Sequence, residues 1–154
     1  MDYQLEQFLL SANIRGYGSD DVNQETLPNG EHTILFSKDT FVFKDVYYGG
    51  EPYAGQEVIF RRDGQAIWAM QYRGEVKGDD FSEVYSFLGK VLTNTKLGLP
   101  RGVDGYRDGE LSYNFHMDGS LENFTAEEKI LHSDTIVYSA KFFGGLVDTR
   151  KGTI

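Results

Sequence analysis

The chain contains no cysteine. That removes disulfides, thiol catalysis and the usual zinc ribbons together. Long apolar runs are missing too, and no segment approaches the roughly 20 apolar residues that a bilayer span requires. The opening residues, MDYQLEQFLL, carry acids and lack the basic and apolar regions of a secretory leader. The expectation is a cytoplasmic protein with no membrane contact. Basic charge is thin: 15 Lys and Arg face 24 Asp and Glu, for a net charge of −9, and Arg61-Arg62 is only a pair. Such a surface repels phosphate backbones and argues against direct binding to nucleic acid.

Familiar catalytic signatures are also missing. His32, His116 and His132 have no partner at metal-ligand spacing, so no metal is expected. No nucleophile elbow of the G-x-S-x-G type occurs. Gly49-Gly50-Glu51 lies between expected strands rather than before a helix, so it spells neither a phosphate loop nor a dinucleotide fingerprint. No cofactor is expected.

What the chain does have is rings and turns. Aromatics make up 14% of its 154 residues, with 11 Phe and 10 Tyr, and there are 18 glycines. Rings and β-branched residues between glycine-marked turns suit short antiparallel strands. Hydrophobic content of 40% and charged content of 25% are those of an ordinary globular chain. The length fits one domain over 1–154 with a single core.

Leu5, Phe8, Leu9 and Ala12 share one helical face, which predicts a short helix over 3–12, capped by Asp2 and stopped by Gly16-Tyr17-Gly18. The polar stretch Ser19 to Glu31 reads as a loop. Strands follow at His32–Ser37 and Thr40–Tyr48. Gln56–Arg62 and Gln65–Arg73 make a hairpin about Asp63-Gly64. Alternation puts Ala66, Trp68, Met70 and Tyr72 on one face of the second hairpin strand, and separates Val58 and Phe60 from Glu57, Ile59 and Arg61 in the first. Asp80 with Glu83 starts a second helix, whose stripe runs from Phe81 to Val91-Leu92 and ends by Gly98 and Pro100. Three more strands, Glu110–Met117, Leu121–Leu131 and Thr135–Phe143, close the chain. The class is α+β: a curled, mostly antiparallel meandering sheet of about seven strands around one longer helix, with a short N-terminal helix.

Chemistry concentrates in Tyr47–Gly74. Glu51 and Glu57 lie beside Tyr47, Tyr48, Tyr53, Trp68 and Tyr72 in this stretch. A carboxylate held among rings suits a general acid if desolvated, or a cationic ligand through charge and cation–π attraction. Surface pairing with Arg61, Arg62 or Arg73 is the plainer alternative. The rings likewise admit two readings, solid core or pocket wall.

Three segments carry a family likeness: Tyr47–Glu57, of the pattern aromatic-x-Gly-Gly-Glu-x-aromatic-Ala-Gly-x-Glu, then Trp68–Gly74, and Phe142–Gly145. With the N-terminal helix and Gly16-Tyr17-Gly18 they resemble an uncharacterised bacterial domain family over nearly the whole chain. Some members of that family carry the domain after a helix-turn-helix DNA-binding module. The resemblance implies this fold and no agreed activity; any regulatory role for a chain lacking that module would be indirect. The leading expectation is a small-molecule-binding or sensor module with Tyr47, Tyr48, Glu51, Tyr53, Glu57, Trp68 and Tyr72 about its pocket. An enzyme using one of these carboxylates as acid or base, and a protein-interaction module pairing with a partner or a second copy, remain alternatives.

Overall fold

The computed structural model describes residues 1–18 and 23–150. Helix α1 spans Tyr3–Gly18, and strands β1 (Asn23–Thr26), β2 (Glu31–Lys38), β3 (Phe41–Tyr48), β4 (Tyr53–Arg61) and β5 (Ala66–Val76) follow. Helix α2 is Phe81–Thr93. After it come β6 (Arg107–Asp108), β7 (Leu111–Ser120), β8 (Asn123–His132) and β9 (Thr135–Leu146). These strands form one antiparallel sheet in the order β1-β2-β3-β4-β5-β9-β8-β7-β6. Two meanders therefore meet at the β5–β9 pair, and α2 lies on the path from one to the other.

The expected class holds as α+β with an antiparallel sheet, but three details differ. The sheet has nine strands among the described residues, rather than about seven, and is open rather than curled round a helix. Strand β1 falls within the stretch expected to be a loop; residues 19–22 of that stretch lie outside the described residues. Its sequence NQET is fully exposed and shows no apolar alternation, so only its ladder to β2 reveals it as a strand. The N-terminal helix is the longer of the two, with 16 residues against 13. A helical glycine costs about 1 kcal/mol relative to alanine, which tertiary packing readily overrides. Gly16 is buried here, and a Cβ on it would lie 4.0 Å from the Phe43 ring.

Both helix starts follow local rules. The amide of Gln4 donates to Asp2 Oδ1 at 3.2 Å, and that of Glu83 donates to Asp80 Oδ1 at 3.3 Å. Helix α1 packs on α2 and on β2 and β3. The core thus lies between the two helices and the inner face of the sheet, with Phe8, Leu9, Val91, Phe43, Ile59 and Ile130 all buried. No helix among the described residues is long and apolar enough to cross a membrane.

Register decides which face each strand buries. In β4 the buried positions are Glu57 and Ile59, opposite Met70 and Trp68 of β5. A bulge at Ile59/Phe60 lets Ile67 and Trp68 both turn inward. Gly144-Gly145 does not end β9, as its sequence suggests. A Cβ on Gly144 would come within 2.5 Å of the Ala69 carbonyl oxygen, so glycine permits close pairing with β5.

Trp68 belongs to this core. It is wholly buried, stacks on Phe124 and donates from Nε1 to the Leu121 carbonyl at 2.8 Å. Trp68→Ala is expected to cost about 3–5 kcal/mol in urea unfolding. A cost below about 1 kcal/mol would mean the indole is not packed as described.

Candidate functional site

Alternation along β3 turns Phe43, Asp45 and Tyr47 toward the helices, because every second side chain points to the same face. Strand β5 does the same with Trp68, Met70 and Tyr72, but the three lie progressively farther along the sheet. Trp68 and Met70 fill solid core, whereas Tyr72 reaches a cavity of about 420 Å³. Asp45, Tyr47, Tyr53 and Tyr72 form its sheet side. Tyr85 and Gly89 of α2 form the helix side, and Arg101 projects from the loop after α2. The volume falls in the range of small-molecule sites.

Two tyrosine–glycine pairs shape the sheet side. Tyr53 lies directly across from Gly74, and Tyr72 across from Gly55. A Cβ on Gly74 would sit 2.5 Å from the Tyr53 hydroxyl oxygen, and one on Gly55 would sit 2.7 Å from that of Tyr72. Each phenol thus covers the glycine of the neighbouring strand. The repeated Tyr-x-Gly in the sequence is the local cause.

Beneath the rings is a buried polar network. Arg101 and Glu128 are both buried; Nε donates to Oε2 at 3.0 Å and Nη2 to Oε1 at 2.7 Å. The two remaining bonds to Glu128 come from Tyr113, at 2.7 Å, and Tyr138, at 2.8 Å. The Tyr138 hydroxyl is in turn hydrogen-bonded to that of Tyr53. Arg101 also lies over the Phe142 ring, 4.8 Å from its centre. Closer to the cavity, Tyr72 donates to Asp45 Oδ1 at 2.5 Å, and Asp45 faces Glu57 across the β3–β4 ladder.

Burial is the main reason these phenols resist ionisation. It pushes Tyr53 up to about 12 and raises Tyr72 far more, with Asp45 adding to the effect. Tyr113 and Tyr138 are raised well above the ordinary value by burial and then by the Glu128 charge. Tyr85 is raised by burial and by its bond to Glu51.

The expected site residues divide sharply. Tyr47, Tyr53 and Tyr72 line the cavity. Glu51 brackets its edge, accepting the Val76 amide on Oε1 at 2.6 Å and the Tyr85 hydroxyl on Oε2. Glu57 is buried behind the lining, and Trp68 is in the core. Tyr48 stands half-exposed and donates to Glu31 Oε2 at 3.0 Å. Sequence reasoning missed Asp45, Tyr85, Arg101 and Glu128. The period-2 pattern held a signal for two of them: Asp45 falls between inward Phe43 and Tyr47, and Glu128 between inward Ala126 and Ile130. Nothing local marks Arg101. Among the described residues, no group of three or more His, Asp or Glu is arranged to hold a metal ion.

Residues 45–147 match a family model described as a domain of unknown function, DUF5680. The match starts inside β3 and ends just past β9, so the expected likeness at the N-terminal helix lies outside it. No curated protein and no solved structure matches the chain.

Two predictions follow from the network. Glu128→Gln leaves a buried guanidinium without its carboxylate, and should cost about 3–5 kcal/mol in urea unfolding. A loss under about 1 kcal/mol would place the pair in the weak, surface class. The second concerns alkaline pH. The folded protein keeps phenol protons that the unfolded chain loses above the ordinary value of 10.0. Stability is therefore level below that pH and falls above it, by about 1.4 kcal/mol per pH unit for each tyrosine still protonated in the fold. Tyrosinate absorbance from the buried set should rise together with loss of ellipticity. Ionisation of Tyr53, Tyr72, Tyr113 and Tyr138 near the ordinary value, in a protein still folded, would contradict the burial described.

Proposed function

We propose that this chain, which belongs to the DUF5680 family, is a cytoplasmic small-molecule-binding or sensor module whose site is the cavity between β3–β5 and α2. The cavity carries the reading. It has ring-bearing walls and one charged group from each side, Asp45 and Arg101, which is the usual make-up of a ligand site. The likeness to bacterial proteins that join this domain to a helix-turn-helix module supports the sensor half of the reading. Acid–base catalysis by Glu51 is less well supported, because both its oxygens already hold donors.

Gly89 adds a second argument. Glycine is a poor helix residue, about 1 kcal/mol worse than alanine, yet it sits inside α2 at the cavity wall. A Cβ there would meet no atom of the described residues within 4 Å, so close packing among them does not demand glycine. Room for an occupant explains it.

The test is a thermal-shift screen of the full chain against small amines, nucleosides, sugars and carboxylates, run beside Gly89→Phe. A bound compound at 100 times its Kd stabilises by about 2.7 kcal/mol. Hits should raise the Tm of the unaltered chain and lose that effect in Gly89→Phe, a variant that fills the space. Gly89→Ala should itself gain about 0.5–1 kcal/mol from helix propensity. If no compound distinguishes the unaltered chain from Gly89→Phe, the cavity is not a ligand site.

A further inference from the structure

Hydrogen bonds inside the protein decide what the cavity wall offers an occupant. Tyr72 donates to Asp45 at 2.5 Å, Tyr85 donates to Glu51, and the Tyr53 hydroxyl is bonded to that of Tyr138. Arg101 gives Nε and Nη2 to Glu128. The charged side chains of the described lining, Asp45 and Arg101, are therefore both engaged within the protein, and so are the hydroxyls of Tyr53, Tyr72 and Tyr85. Burial, first of all, holds these three phenols above their ordinary pKa, so they keep their protons at neutral pH and their rings stay uncharged.

The rest of the described lining is mostly ring, hydrocarbon and bare backbone. Tyr53 stands 5.8 Å from Tyr72 and 6.2 Å from Tyr85 between ring centres, inclined at 59° and 60°. Walls set at such angles offer both faces and edges to a further ring, rather than a parallel slot. Leu88 and Leu92 of α2 and Ile34 of β2 add aliphatic surface. Gly50 and Gly89 lie in the lining too, and a Cβ on either would meet no atom of the described residues within 4 Å. Glycine lets a flat molecule approach the backbone closely. Tyr47 and Gln24 carry groups that both donate and accept, which suits an uncharged polar substituent.

We infer that the cavity takes an uncharged aromatic molecule of one or two rings. Size agrees: an apolar cavity of roughly 150 Å³ holds benzene, and this one has about 420 Å³. Burying a charge costs heavily unless the protein pairs it, and the charged groups described here already have partners. Amines and carboxylates therefore gain little that offsets leaving water. A neutral ring loses little on leaving water and gains contact with Tyr53, Tyr72 and Tyr85. The inference rests on the reading of the cavity as a ligand site and adds the ligand's chemistry to it.

Three probes sharing one indole body test it: uncharged tryptophol, cationic tryptamine and anionic indole-3-acetate, titrated calorimetrically into the full chain. Tryptophol should bind at least about tenfold more tightly than either ion, a difference of about 1.4 kcal/mol. Tyr85→Leu removes a ring from the helix-side wall and should weaken tryptophol about tenfold. Tyr85→Phe, which keeps the ring without its hydroxyl, should recover most of that loss; circular dichroism checks the fold of both variants. If either fails to fold, the comparison among probes on the unaltered chain decides alone. Either ion binding as tightly as tryptophol, or Tyr85→Phe losing as much as Tyr85→Leu, would overturn the ligand class. So would an absence of tryptophol binding where compounds of another class bind and Gly89→Phe blocks them; the site would then stand and its assigned chemistry fall. Should nothing bind, or Gly89→Phe block nothing, both readings fail together.

Discussion

The buried pair of Arg101 and Glu128 is the interaction on which the lower half of the molecule depends. Removing two charges from water costs several kcal/mol per ion, and mutual attraction offsets this only where the remaining hydrogen-bonding capacity is filled. Glu128 meets that condition. Two bonds from the guanidinium and one each from Tyr113 and Tyr138 occupy about the four lone-pair sites a carboxylate offers. The residues come from β7, β8, β9 and the loop after α2, so one polar knot ties the second meander to the segment that leaves the helix. Because Tyr138 is fixed by it, Tyr53 is fixed as well, and the orientation of a cavity hydroxyl follows from a contact one residue removed.

A sheet with one inner face has to distribute its rings between solid packing and open space. Here position along the strand settles the matter. Trp68 and Met70 are opposite Ile59 and Glu57, and all four are wholly buried. Two pairs farther on, Tyr72 lies over Gly55, and two pairs beyond that Tyr53 lies over Gly74. A side chain at either glycine would meet the phenol lying over it; at Gly55 it would also come within 2.5 Å of the Val46 carbonyl oxygen. The glycines let two strands carry large polar rings flat against their neighbours, and the ring edges bound the cavity. The same strand therefore serves as core at one end and as wall at the other.

Much of this was legible in the sequence, though unevenly. The helix faces, the hairpin about Asp63-Gly64 and the α+β class follow from apolar spacing and turn residues, which are local. Strand β1 was not legible, since NQET carries no burial pattern and is held by backbone pairing to β2. The concentration of rings in Tyr47–Gly74 located three lining residues, yet proximity in sequence also drew in Trp68 and Tyr48, which alternation and register send elsewhere. Aromatic neighbours in the chain favour Glu51 and Glu57 among the acids. The inward strand positions hold Asp45, Glu57 and Glu128 instead. Arg101 follows α2 in an irregular segment, where no period exists to say which way a side chain points.

The cavity draws on two parts of the chain that differ in kind. Among the described residues, its charged groups and tyrosines lie within residues 45–147, the span that matches the family, whereas Gly16, Gln24 and Ile34 come from the elements before it. The first group is over-determined: the hydroxyls of Tyr53, Tyr72 and Tyr85 are each bonded to a specific partner, Tyr138 and Asp45 in the sheet ladder and Glu51, which also takes the Val76 amide. Such preorganisation means that an occupant need not order these side chains on binding, which lowers the entropic cost of association. The second group supplies one amide side chain, Gln24, and otherwise surface, from a helix and two strands packed on the remainder. The polar lining and its enclosure are thus set by separate segments, joined where α1 lies on α2 and β3. A loss of packing at that junction would open the cavity without disturbing the hydrogen bonds that hold its polar lining.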